Sequence, residues 1–259
     1  MDVVFSLNSD SLARVDGFNR TFLKTCWKIV VEDLHNAAKE FLQGVTLPKA
    51  VTRPLVCLIP NTKNLFSFGD FRPISLWIFT NKVPTKVLAK RLGGLLRKII
   101  LEELSGFASG RIISDNILIA WGLVESIDNK VRGGNLVIKL DMTKALDRVS
   151  WPFLYKILSK FGLTAEFISL ISNYIENNWL SILFNGSPTG FFKSSRGVRQ
   201  GDPLSPSLFI IVAETFVRGL RNQFQTGRIG YYAASRSSIP ITHLMQMMLS
   251  FSLEGIKSP

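Results

Sequence analysis

The sequence predicts an α+β fold, because segments with helical and with strand periodicity alternate along the chain. Apolar residues recur at the helical period from Thr21 to Leu42. Arg53–Pro60 has the composition of a buried strand. The turn residues around Asn185-Gly-Ser-Pro188 separate Trp179–Asn185 from Thr189–Ser195, which is typical of a β-hairpin.

Further elements are predicted between these segments. A polar loop at Asn61–Asp70 is followed by an amphipathic helix that starts near Pro84 and runs through Val87 and Ile99. After it come a helix at Ser114–Val131, a buried strand at Asn135–Leu140, a helix capped by Ser150 and stopped by Gly162, and a helix capped by Thr164. The chain therefore has enough regular structure, and with 259 residues enough length, to build a sizeable core.

The composition suits a polyanionic partner and disfavours a membrane protein. The formal net charge is +12, from 31 Lys and Arg against 19 Asp and Glu. A soluble basic protein without such a partner is the alternative that charge leaves open. No apolar run approaches the ~18 residues of a membrane span, and no signal peptide opens the chain. We therefore expect an intracellular protein; nucleus and cytoplasm are not distinguished, and nothing indicates an oligomeric state.

The most informative stretch is Arg196-Gly-Val-Arg-Gln-Gly-Asp-Pro-Leu-Ser-Pro206. It leads into an apolar run, with Ser205 suited to cap a helix and Pro206 to occupy its first position. A glycine-rich loop before a helix lets a ligand approach the backbone, and Arg196, Arg199 and Gln200 add charge and hydrogen-bonding groups. A surface loop before a core helix is the alternative interpretation.

The whole string closely resembles motif B of the reverse transcriptases of non-LTR (LINE-type) retrotransposons, especially those of plants. Lys139–Arg148 resembles motif A of the same family, and Asp141 matches its metal-binding aspartate. The resemblance implies a site for two Mg²⁺ ions, which prefer oxygen ligands and stabilise the attacking and leaving oxygens. For an isolated aspartate, a turn residue or a helix cap would be the favoured interpretation of Asp141.

Other segments match the family in the same order, from about Asp16 to His243. Leu58–Asn61 with Asp70–Ser75 is similar to its fingers segment, where Arg72 matches an arginine near the triphosphate; pairing with Asp70 is the alternative. Ser105–Arg111 is similar to its template-side segment. The residues that the resemblance implicates are Arg72, Leu146, Gln200 and Gly201 for the nucleotide substrate, and Arg111, Arg196 and Arg199 for nucleic acid.

The resemblance implies a partial right-hand polymerase, with fingers and most of the palm but no thumb. Its implied partners are an RNA template, a DNA primer and deoxynucleoside triphosphates. Leu146 departs from the family, which has Tyr or Phe at this position as a barrier to a ribose 2′-hydroxyl.

The pattern breaks after Leu244, where the family has a Tyr-Ala-Asp-Asp box that completes the metal site. The chain instead continues Met245-Gln-Met-Met-Leu249, and no carboxylate follows until Glu254. In the displaced codon frame these residues encode Ala, then Asp or Asn, then Asp. We therefore expect residues 1–244 to be a fingers and palm fragment and residues 245–259 to be an out-of-frame tail, produced by an indel or a misplaced splice junction.

Two functions remain open from the sequence. The first is an RNA-directed DNA polymerase domain, truncated and inactive as written. The second is a non-catalytic relic that binds nucleic acid through its basic surface.

Overall fold

The computed structural model describes residues 24–49, 52–101, 104, 113–125, 127–128, 135, 144–230, 232–233 and 238–239. Its helices are α1 Trp27–Leu42, α2 Phe79–Ile99, α3 Ile113–Glu125, α4 Trp151–Lys160, α5 Ala165–Glu176 and α6 Ser205–Gln225. Its strands are β1 Leu55–Pro60, β2 Phe71–Leu76, β3 Leu180–Phe184, β4 Ser187–Phe192, β5 Tyr232–Ala233 and β6 Ser238–Ile239, and short 3-10 helices cover Phe68–Asp70 and Leu146–Arg148. This mixture confirms the predicted α+β class.

The chain divides into two compact units. The first combines residues 1–92 with 146–208, and the second combines residues 93–145 with 209–259. Among the described helices, none unites the length and the apolar composition that a membrane crossing requires.

A four-stranded sheet organises the first unit, in the order β2-β1-β3-β4. β1 runs antiparallel to β2 and parallel to β3, and β3 and β4 form the predicted hairpin. The hairpin turns at Asn185 and Gly186, whose φ angles of 47° and 76° suit an Asn-Gly turn. The fully buried side chains Trp77, Leu88, Leu154, Leu158 and Ile171 form much of the core of this unit.

The second unit contains an ion pair between buried Glu214 and half-exposed Arg218. Glu214 on α6 is 0% exposed, and its carboxylate accepts hydrogen bonds from the Leu101 backbone N–H at 3.1 Å and from Arg218 Nε at 2.7 Å. Arg218 also donates to the Ile99 carbonyl at 2.6 Å. The pair thereby satisfies backbone groups at the end of α2.

Most sequence-predicted elements are confirmed. α1 ends just before Gly44 (φ 93°), while Asn19 lies outside the described residues. Gly162 follows α4 with φ 84°, and Thr164 Oγ1 accepts from the Phe167 N–H at 3.3 Å. The predicted strand Asn135–Leu140 lies outside the described residues, except for Asn135.

Three helix boundaries and one strand differ most from the prediction. Helix α2 begins at Phe79 rather than at Pro84, since the proline removes only the hydrogen bond to Thr80, an exposed residue that water can reach. α3 ends at Glu125, before the predicted Val131, and the chain tightens there through an Ile127 N–H to Val124 carbonyl bond of 3.2 Å. Ser205 is the first residue of α6 rather than its cap. Strand β2 was not predicted, because Asp70–Ser75 contains a proline and few residues typical of strands.

Candidate functional site

The loop between β4 and α6 carries the sequence motif, and its first part is fixed by backbone hydrogen bonds. The Gly197 N–H donates to the Val149 carbonyl at 2.7 Å, and the Val198 N–H donates to the Leu146 carbonyl at 2.8 Å. Trp151 Nε1 donates to the Gly197 carbonyl at 2.8 Å. These bonds tie the loop to the end of the Lys139–Arg148 segment and to the residues that follow it.

Gly197 makes the closest backbone approach in this loop. Its φ is 90°, and a Cβ atom there would lie 2.7 Å from the Asp147 carbonyl oxygen. No L-residue fits without movement of the backbone, so the first glycine of the motif has a structural reason.

Arg199 lies inward from the loop and is largely enclosed by aromatic rings. Its guanidinium carbon is 4.1 Å from the ring centroids of both Trp77 and Tyr174. Its Nη2 atom donates to the Tyr174 carbonyl and, at 3.3 Å, to the Ile175 carbonyl. Two cation–π contacts and two carbonyl bonds therefore hold this cation at the end of α5.

Asp202 supplies the negative charge of the same cluster and is 3% exposed. Its Oδ2 atom accepts from the Tyr174 hydroxyl, and its Oδ1 atom accepts from the Leu204 N–H at 2.7 Å. Burial raises the pKa of Asp202 above that of an ordinary aspartate, although the nearby Arg199 charge opposes the shift. Burial, reinforced by the Asp202 charge, also raises the pKa of Tyr174, whereas burial lowers the pKa of Arg199.

Three other residues of the loop face outward or sideways. Arg196 and Gly201 are exposed, and Gln200 is partly exposed. Gln200 Nε2 lies 3.4 and 3.3 Å from the two carboxylate oxygens of Asp147. Gly201 has a φ of 87°, and among the described residues a Cβ there would meet only the Ser75 carbonyl oxygen, at 3.6 Å. The loop thus presents bare backbone beside an amide and near an exposed cation, an arrangement suited to a flat polar ligand with a phosphate.

Arg72 lies in a second segment of the same unit. It is exposed on β2, where it pairs with Ile59 of β1, so the two parts of the fingers resemblance are neighbouring strands. The preceding turn is fixed by Asp70, whose Oδ2 atom accepts from the backbone N–H groups of Phe66 and Ser67 at 2.9 and 2.8 Å.

The predicted site residues therefore fall into three groups. Arg196, Gln200, Gly201 and Arg72 are at least partly accessible. Arg199 is partly buried, with its guanidinium engaged by Trp77 and Tyr174, and Leu146 is buried at 6% exposure. Asp141 and Arg111 lie outside the described residues. Among the part of the chain that the structure describes, no three Asp, Glu, His or Cys side chains converge on a metal site.

Sequence reasoning missed the partners of the buried cluster. Trp77 and Tyr174 come from the segment after β2 and from α5, and no spacing in the sequence links either residue to Arg199. The available signal was weak: Tyr174 lies among apolar residues on the buried face of α5, where a hydroxyl requires a polar partner.

Residues 59–240 match the reverse transcriptase (RNA-dependent DNA polymerase) family. Because this match covers well over half of the sequence, the chain belongs to that family.

Two relatives that cover most of the chain are proteins of transposable elements. The chain is 28% identical to an uncharacterized 149 kDa protein of transposon TX1 from Xenopus laevis over 210 residues, 81% of this chain. It is 30% identical over 177 residues, 68% of its length, to the Pol polyprotein of the type-2 retrotransposable element R2DM from Drosophila melanogaster. The chain spans only 16% of the length of each of these proteins. These relatives place the reverse transcriptase domain with those of non-LTR retrotransposons.

A third similarity is short. Over 67 residues, 26% of this chain, it is 42% identical to an uncharacterized mitochondrial protein of Arabidopsis thaliana, and this stretch is 55% of that protein.

Proposed function

We propose that the chain is the fingers and palm part of an RNA-directed DNA polymerase from a plant LINE-type retrotransposon. The observation that carries the proposal is the family match over residues 59–240, which contains Arg72, Asp141 and the whole loop from Arg196 to Asp202. The similarity to the Arabidopsis protein supports a plant origin. The partners of such a domain are an RNA template, a DNA primer and deoxynucleoside triphosphates.

Each implicated residue has a role that its chemistry supports. Asp141 provides a carboxylate for Mg²⁺, which in such a site polarises phosphoryl oxygens and lowers the cost of developing charge. Arg72 binds the triphosphate. The exposed backbone at Gly201 and the side-chain amide of Gln200 contact the template base and the incoming nucleotide that pairs with it. Arg111 and Arg196 bind the nucleic-acid backbone.

Two of these residues act indirectly in the proposal. Leu146 is buried, and its backbone carbonyl accepts a hydrogen bond from the Val198 N–H. Because Leu146 stands where the family has Tyr or Phe, it alters the wall of the site and weakens discrimination against a ribose 2′-hydroxyl. Arg199 affects nucleic acid by positioning the loop, because its guanidinium is engaged with Trp77 and Tyr174.

We further propose that the chain as written is inactive, because residues 245–253 contain no carboxylate. The genetic code gives the cause. In the displaced frame, each codon consists of the last base of one codon and the first two bases of the next. Met245 followed by Gln246 then gives GCA, which encodes Ala, and Met247 followed by Met248 gives GAT, which encodes Asp. If Leu244 uses CTT, the displaced frame begins with TAT, Tyr, and the box Tyr-Ala-Asp-Asp is restored when Gln246 ends in G. Residues 1–244 are thus the polymerase segment, and 245–259 are an out-of-frame tail.

Primer extension on an RNA template with Mg²⁺ or Mn²⁺ tests the proposal. We expect no extension by the 259-residue chain and extension once the locus is read in the displaced frame from Leu244. Asp141→Ala should then abolish the restored activity, while Asp128→Ala serves as a matched control outside the motifs. Extension by the present chain would refute inactivity, and a displaced frame that stops within a few codons would refute the frame shift.

A second function is favoured by the same missing carboxylates: a non-catalytic relic that binds nucleic acid through its basic surface. Salt-sensitive RNA binding without extension, even after the frame is restored, would support this alternative.

A further inference from the structure

A basic and aromatic surface lies along the hairpin of the first unit, and it contains none of the residues assigned to nucleotide transfer. We call it the hairpin patch, and it consists of Lys49, Arg53, Trp179, Phe191 and Lys193. The ammonium groups of Lys49 and Lys193 lie 5.2 and 5.1 Å from the ring centroid of Trp179. The guanidinium of Arg53 lies 5.4 Å from the ring centroid of Phe191.

The patch is continuous because the backbone brings its parts together. The Trp179 N–H donates to the Thr52 carbonyl at 3.4 Å, and Ser181 N–H donates to the Pro54 carbonyl at 3.3 Å. These bonds hold the segment that carries Arg53 against the start of β3. Phe191 lies on β4, and Lys193 directly follows that strand.

The three cations of the patch have no carboxylate partner among the residues that the structure describes. The sequence explains this, since neither Phe41–Gly69 nor Asn177–Gly201 contains a single Asp or Glu. The ammonium groups of Lys49 and Lys193 contact the same indole ring and repel each other. Because no carboxylate lies nearby among the described residues, a bound anion from another molecule is the group that can neutralise them.

Phe191 adds a feature that a simple anion does not need. Its side chain is 59% exposed, on a strand whose six residues are all exposed. An exposed ring beside cations offers a face on which a nucleic-acid base can stack while the cations contact its phosphates. A duplex hides those base faces, so the combination fits a single strand.

Addition of a protein strand to this edge is disfavoured by the strand itself. β4 lies at the edge of the sheet, but Pro188 lacks an N–H, and Gly190 has a φ of 68° that interrupts the extended backbone. The open edge is therefore protected against pairing, while the side chains beside it remain available.

We propose that the hairpin patch binds single-stranded nucleic acid by cation–phosphate contacts and by base stacking on Phe191. The identity of that strand as the RNA of the element rests on the proposed function. The binding itself does not, because it uses none of the residues assigned to nucleotide transfer.

Fluorescence anisotropy of a labelled oligouridine, titrated with the 259-residue chain in EDTA at several salt concentrations, tests this. Phe191→Ala should weaken binding about tenfold, the loss expected for one stacked base, whereas Phe191→Tyr should preserve it. The Lys49→Gln/Lys193→Gln double variant should weaken binding and lower the slope of log K against log salt by about 1.4, since each phosphate contact contributes about 0.7.

Matched controls lie on α4 of the same unit. Phe153→Ala removes a ring that is 45% exposed, and Lys156→Gln/Lys160→Gln removes two exposed cations. We expect both to leave binding unchanged. Inorganic polyphosphate should lose affinity in the Lys49/Lys193 variant and not in Phe191→Ala, because it has charge but no bases.

Three results would overturn the proposal: equal losses in the α4 controls, binding of an RNA duplex as tight as that of oligouridine, or retention of oligouridine binding in Phe191→Ala. Thermal unfolding of each variant separates a lost contact from a lost fold. Because no primer, nucleotide or metal is present, failure here is distinct from failure of primer extension.

Discussion

The two sides of the loop between β4 and α6 differ in their surroundings, although their residues are interleaved in sequence. Gly197, Arg199 and Asp202 face inward, where they meet backbone, aromatic rings and a tyrosine hydroxyl. Arg196, Gln200 and Gly201 retain access to solvent. The inward side therefore fixes the shape of the loop, and the outward side is what a ligand can reach.

The two arginines illustrate the difference most clearly. Arg196 and Arg199 stand three residues apart and look equivalent as basic residues of a motif. Yet Arg199 would have to leave two rings and two carbonyls to reach a ligand, whereas Arg196 is exposed. A residue's membership of a functional motif thus does not establish that it touches the substrate.

The largest effect is expected from Arg199→Met, which removes the charge and keeps much of the volume. It leaves the Tyr174 carbonyl without this donor and Asp202 without its neighbouring cation, so we expect a loss of about 3–5 kcal/mol in the free energy of unfolding. Urea denaturation measures this loss. Arg196→Met is the control, and an equal loss in both variants would erase the distinction between the two sides.

Gly197→Ala should be the next most damaging change. Its Cβ would lie 2.7 Å from the Asp147 carbonyl oxygen at a φ of 90°. Left-handed backbone and overpacking together predict a loss of about 2–4 kcal/mol. A variant as stable as the parent in urea denaturation would show that this approach is not close in solution.

Asp202→Asn should cost about 1–3 kcal/mol at neutral pH, because one acceptor for Tyr174 or Leu204 is lost. It should also change the pH dependence. Since the folded pKa of Asp202 is raised, the folded state holds its proton to higher pH than the unfolded state does. Stability in the parent therefore falls as pH rises from the ordinary aspartate range through the folded pKa.

The asparagine has no such proton, so the variant should show a flatter profile over that window. Urea denaturation at a series of pH values measures the slope for both proteins. If the slopes coincide, Asp202 is ionised in the folded state at its ordinary pKa, and the buried side of the loop is less enclosed than the structure indicates.

The sequence predicted the elements of this region better than their environment. Local signals such as Asn185-Gly186, Gly162 and Thr164 act through a few neighbouring atoms, and each is confirmed. The packing of Trp77 on the Arg199 guanidinium was not predictable, because Trp77 is more than a hundred residues away and the contact depends on how the chain packs.

Periodicity also failed where packing overrides local preference. Pro84 lies within α2, and β2 forms from a segment with little strand character because β1 supplies a partner along its whole length. For the candidate site, motif resemblance located the loop. It could not separate the residues that shape the loop from those that face outward.

Gly201→Ala should sharpen the contrast with Gly197 within one loop. Both glycines have positive φ, but a methyl group on Gly201 would have the Ser75 carbonyl oxygen as its nearest neighbour, at 3.6 Å. Only the backbone preference opposes the change, so we expect a loss of about 1–2 kcal/mol. Urea denaturation of the two alanine variants in parallel gives the comparison. A larger loss at Gly201 than at Gly197 would contradict it.

Arg196→Gln should have the smallest effect on stability and a distinct effect on binding. An exposed side chain without a structural role changes the free energy of unfolding by less than about 0.5 kcal/mol. If Arg196 contacts a phosphate, its removal lowers the slope of log K against log salt for oligouridine by about 0.7. Arg148→Gln, outside the loop, is the control for general charge. An unchanged slope in Arg196→Gln would remove this residue from the nucleic-acid surface, whereas a stability loss as large as that of Arg199→Met would show that both arginines of the motif serve to hold the loop.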